Sequence, residues 1–182
     1  VNPVLAARLR VAAVLVGGIV VQTTFGADLR VDGVAPDLML LLAVAGGLVG
    51  GADTGAIIGF FAGLLADLSL TTTPLGLTAL AWCLTGYAVG RIRSTYLPDD
   101  RLLQPVIGLV ASAAGILLFL IIGDLAGQRM LIVPGRAYLV KVVVIEAVWN
   151  AVLIVPVAAL LGRAARGTQG ADRLRRSDAR VP

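Results

Sequence analysis

Two carboxylates lie beside long uncharged runs, Asp67 and Glu146, and they are the residues best placed to do chemistry. An ionisable side chain in apolar sequence is expensive to bury and marks a functional site by default. Asp67 falls one step beyond glycines at every fourth position: Gly47, Gly51, Gly55, Gly59 and Gly63. It is either an intramembrane site residue or a carboxylate that emerges at an interface beside Ser69 and Thr71-Thr72-Thr73. Glu146 has Asn150 one turn later on the same helical face, with Trp149 beside them. A helix start near residue 137 puts Glu146 roughly 12 Å along its helix at about 1.5 Å per residue. At that depth it is either hydrogen-bonded in the interior or held at the lipid boundary. Asp67 and Glu146 could form a carboxyl pair, although nothing in the sequence brings them together. Lys141 is too far round the helix from Glu146 to pair well and is free to snorkel outward.

Catalysis finds no support in the remaining residues. The chain has no histidine, which removes the commonest general base and the commonest metal ligand together. Ser69, Ser112 and Cys83 therefore lack a base to activate them. A single cysteine makes neither a disulfide framework nor a thiolate metal site. Lys141 is the only lysine, and no phosphate-cradling glycine loop leads into it. The chain is expected to be a non-enzyme, with no cofactor and no metal. Its arginine-rich tail has no interleaved aromatic side chains to stack bases, which argues against nucleic-acid binding.

The elements that must position these residues are membrane helices. Hydrophobic residues make up 58% of the 182-residue chain and charged residues 14%, with a mean hydropathy of +0.95. That is too little charge to cover a soluble surface. Charges divide the sequence into apolar runs, and a crossing helix needs about 20 residues. The runs predict an all-α polytopic membrane protein of about six transmembrane helices, at 4–25, 35–50, 53–69, 74–91, 102–123 and 137–161. A re-entrant hairpin in place of the second and third is the main alternative. Thr73-Pro74 and Ala35-Pro36-Asp37 resemble helix starts, Gly50-Gly51-Ala52-Asp53 a tight turn, and Leu97-Pro98-Asp99-Asp100 a helix break. Pro156 should kink the last helix. Residues 1–162 form a single transmembrane domain in this reading, and 163–182 a basic, disordered tail. The first helix, with Arg8 and Arg10 before it, reads as a retained span, since no cleavage site follows.

Arginine placement sets an orientation. With both ends cytoplasmic, that side receives Arg8, Arg10, Arg91, Arg93, Arg101, Arg163, Arg166, Arg173, Arg175, Arg176 and Arg180. The other side receives Arg30, Arg129, Arg136 and Lys141, an asymmetry that obeys the positive-inside bias. The ridge Gly51, Gly55, Gly59 and Gly63 argues for close helix packing, because small residues let backbones approach in lipid. Its partner is a helix of this chain or of another protein. On this reading Gly59→Leu forces two helices apart, whereas Gly59→Ala is nearly silent.

Taken in order, several motifs resemble the rod-shape-determining membrane protein MreD family. They are Pro36-Asp37-Leu38, the Gly55, Gly59-Phe60, Gly63-Leu64 and Asp67 series, Pro74-Leu75-Gly76, and Gly86-Tyr87 with Gly90-Arg91. Asn150 and Pro156 suit that family's last helix. The resemblance is dense over 36–91. It implies a non-catalytic scaffold subunit of the cell-wall elongation machinery in the bacterial inner membrane. Implied partners are membrane lipid, an MreC-like bitopic protein, and MreB, RodA and a class B penicillin-binding protein in the wider complex. The implied fold is similar to the substrate-binding component of energy-coupling-factor transporters, which leaves a small-molecule transporter subunit as the alternative. Against the Ala-x-x-x-Ala docking pattern of that class, the first helix offers the looser pair Ala13-x-x-x-Gly17.

Overall fold

The computed structural model describes residues 2–26, 28, 30–69, 74–96, 101–128 and 135–166. Five α-helices follow one another: α1 Pro3–Phe25, α2 Leu38–Ser69, α3 Leu77–Tyr96, α4 Gln104–Leu125 and α5 Arg136–Ala164. A 3-10 turn, Arg101–Leu103, leads into α4. Four of the five, α1, α2, α4 and α5, are long and apolar enough to cross a membrane.

Local chemistry explains where the helices begin and stop. The Asn2 side chain accepts from the Val4 N–H at 3.0 Å, and Pro3 occupies the first turn of α1, where its missing donor is not needed. Asp37 caps α2 by accepting from the N–H groups of Met39 (2.9 Å) and Leu40 (3.1 Å). Before it, Asp32 and Gly33 both take positive φ, 51° and 86°, in a tight turn closed by Val31 and Val34. After α4, Gly127 at φ 82° lets the Gln128 N–H reach the Gly123 carbonyl. Pro156 sits inside α5 without ending it.

The two helices expected at 35–50 and 53–69 are the two arms of the single element α2. Gly51 stands inside it at φ 78°, ψ −170°, a backbone conformation essentially reserved for glycine. The chain folds back there. A Cβ placed on Gly46 would lie 3.0 Å from the Ile58 side chain, and one on Gly55 would lie 2.8 Å from the Cα of Gly47. An unbroken helix would separate residues eight apart by about 12 Å. Counting the arms apart restores six helical segments, but the first, Leu38–Gly50, spans only about 20 Å at 1.5 Å per residue. That is less than the roughly 30 Å of a bilayer core. The start expected at residue 35 moves to Leu38, since Asp37 is spent as the cap. The helix expected at 74 begins at Leu77, with Pro74 outside it. Thr73 and the 97–100 break lie outside the described residues, as does the tail beyond Arg166.

The short first arm is the core of the molecule. Met39 to Leu48 are buried without exception, as a helix apolar on every face requires. Every other helix packs on it. Gly18 of α1 lies under Met39 and Leu42, and Gly115 of α4 lies under Leu40. Gly47 meets Gly86 and Gly90 of α3, and Val49 meets Gly162 of α5.

Candidate functional site

The glycine ridge resolves into three roles. Gly55, Gly59 and Gly63 form one seam along the second arm of α2, and the backbone of α3 lies directly against it. A Cβ on Gly59 would overlap the Trp82 carbonyl oxygen, and one on Gly63 would lie 2.5 Å from the Cα of Ala79. On the facing side, Cβ atoms on Gly86 and Gly90 would overlap the backbone at Gly55 and Gly51. Gly51 makes the turn, and a Cβ there would meet nothing within 4 Å, although its backbone lies against Gly90 of α3. Gly47 belongs to the other arm. The seam is therefore used inside the chain, between α2 and α3, where an added methyl at Gly59 has no room.

Asp67 stands beyond Gly63 at the C-terminal end of the seam, buried at 4% exposure. Its carboxylate accepts three backbone N–H bonds, from Gly76 at 2.8 Å and from Thr78 and Ala79 at 3.2 Å each. These donors open α3, so a residue of α2 caps the N-terminus of the next helix. The positive end of the α3 dipole favours that charge. Neither sequence reading, an intramembrane site residue or a carboxylate emerging at an interface, identified these donors.

Glu146 and Asn150 lie together on the buried face of α5. Asn150 is fully buried, and its Nδ2 donates to Ser112 Oγ on α4 at 3.0 Å. Its Oδ1 has no hydrogen-bond partner among the described residues. Glu146 does not meet Asp67. The carboxylate that bears on it is Asp37, at the start of α2. Gln22 of α1 joins this junction: its Oε1 accepts at 3.1 Å from the Met39 N–H, which Asp37 Oδ1 also accepts. Gln22 and Asp37 thus share one backbone donor where α1 meets the start of α2. Lys141 turns away and pairs with Asp32 at 2.6 Å.

Sequence reasoning missed Asp37 and Gln22 as members of this junction and weighed Ser112 only as a nucleophile. The proline before Asp37 and its place before an apolar run were the available signals, and they indicated a helix cap and nothing more. Among the described residues no three His, Cys, Asp or Glu side chains gather as a metal site. Chemically, the polar groups orient helices.

The family comparison covers nearly all of this framework. Residues 6–163, which run from the first turns of α1 to the last turn of α5, match a family model described as rod shape-determining protein MreD. No curated protein and no solved structure matches the chain.

Proposed function

This chain belongs to the MreD family of rod shape-determining membrane proteins, and from that premise we propose that it is a non-catalytic scaffold of the cell-wall elongation machinery. It sits in the bacterial cytoplasmic membrane as a multi-pass protein with both ends in the cytoplasm. An MreC-like bitopic protein is its direct partner, with MreB, RodA and a class B penicillin-binding protein in the wider complex.

The observation that carries this reading is how differently the small residues are used. The glycine seam is consumed between α2 and α3, so it is closed to a partner. Helix α1 is left open. Leu5, Leu9, Val16, Val20 and Phe25 are all more than half exposed, and Ala13 and Gly17 are exposed among them. A Cβ at Gly17 would meet nothing within 4 Å. A partner's single membrane helix can approach closely at that small pair and gain van der Waals contact. The polar groups support the non-catalytic half of the reading, because Asp67, Asp37 and Asn150 are engaged in capping and joining helices.

Gly17→Leu tests the assignment. The added side chain has open space in the isolated chain, so the protein should insert and accumulate normally. Capture of the MreC-like protein in mild detergent should fall several-fold. Undiminished capture would take α1 out of the interface.

A further inference from the structure

We propose that the arginine-rich end of the bundle is a binding surface for anionic phospholipid headgroups, formed by Arg8 and Arg10 of α1, Arg91 of α3, and Arg163 and Arg166 of α5. These residues come from distant parts of the sequence, and the fold gathers them. Arg10 Nη2 donates to the Arg166 carbonyl at 3.0 Å, which fastens the start of α1 to the end of α5. A Cβ on Gly162 would lie 3.7 Å from Val49, and the Arg93 guanidinium donates to the Leu48 carbonyl. The ends of α3 and α5 therefore flank the Gly51 turn.

Among the described residues the charge at this end is one-sided. All five arginines are exposed. None has a carboxylate partner among the described residues, and Asp53 is the only described acid at this end, itself exposed. The opposite end is mixed: Asp28, Asp32 and Asp124 accompany Arg30, Arg136 and Lys141, and Lys141 is paired with Asp32. Guanidinium groups match phosphate oxygens with paired donors. Next to the arginines the helix faces are apolar and open, with Leu5 and Leu9 on α1, Ile92 on α3 and Leu160 on α5. A cationic rim bordering exposed aliphatic surface fits both halves of a phospholipid. An acidic soluble protein would match the charge alone.

Spin-labelled lipids measure this directly. The full chain is reconstituted in phosphatidylcholine bilayers containing traces of labelled phosphatidylglycerol or labelled phosphatidylcholine. A basic residue at the membrane surface contributes about fivefold in anionic-lipid affinity. At low salt the protein should retain phosphatidylglycerol at least fivefold over phosphatidylcholine. That preference should collapse towards one in the triple variant Arg8→Gln, Arg91→Gln, Arg163→Gln. It should collapse likewise for the unmodified protein in 1 M salt, where the screening length falls to about 3 Å. Equal retention of the two lipids at low salt would overturn the proposal. So would a preference that survives high salt, a test that does not depend on whether the variant inserts.

Discussion

Gly59→Ala is the smallest substitution that tests whether the α2–α3 seam holds the bundle together. The new Cβ would overlap the Trp82 carbonyl oxygen, and would lie 2.7 Å from its carbon and 3.0 Å from the Cys83 nitrogen. Carbon atoms in contact prefer about 3.5 Å or more, so the carbon shortfall alone is about 0.8 Å. Each obstructing atom is backbone of α3, which cannot turn aside as a side chain would. The two helices must separate, and the neighbouring approaches at Gly55 and Gly63 loosen with them. Overpacking of this kind costs about 1–3 kcal/mol. Alanine regains about 1 kcal/mol of helix propensity over glycine. With rigid backbone as the obstacle the upper part of the range applies, leaving a net loss of about 1–2 kcal/mol. For a chain of this size that lowers the unfolding midpoint by about 2–8 °C. Thermal unfolding in mild detergent reads it, with Gly17→Ala as the control, since a Cβ there meets nothing within 4 Å. Equal midpoints for Gly59→Ala and the unmodified protein would refute the seam as a stabilising contact.

Three further outcomes are expected. Gly51→Ala has room for its methyl group but not for its backbone angles, so strain of about 1–3 kcal/mol should appear in the same unfolding measurement; an unchanged midpoint would mean the turn is not held at positive φ. Asp67→Leu strands three N–H donors at the start of α3, at about 1–3 kcal/mol for each one left unsatisfied. Asp67→Asn keeps one acceptor oxygen and should fall between Leu and Asp, less benign than the sequence alone indicates; identical stability of all three would remove the capping role. Reporter fusions at residues 30, 53, 71, 95, 130 and 175 should read out, in, out, in, out, in, and a cytoplasmic signal at 71 would contradict the paired arms of α2.

The parts legible in the sequence are those that depend on a single segment. Apolar runs long enough to cross a bilayer announce α1, α4 and α5 within three residues of their observed ends, because in lipid each such run must satisfy its own backbone. The Gly50-Gly51-Ala52-Asp53 turn was equally visible, since glycine alone takes the required angles. The i+4 spacing of Gly55, Gly59 and Gly63 also showed that some backbone must come close.

Which backbone comes close is a property of the tertiary structure. A smooth seam accepts α3 or a foreign helix equally well, and only the placement of α3 against the second arm of α2 brings Ala79, Trp82 and Gly86 into register with it. The same holds for the polar groups. The donors to Asp67 are not legible from its own segment, because they lie nine to twelve residues away at the start of the next helix. Asp37 and Glu146 are more than a hundred positions apart, and the packing of α5 on α2 brings them within electrostatic reach of each other. Periodicity along one helix records that a face is buried. What it is buried against depends on how the other helices close around the first arm of α2, and that is fixed by long-range packing.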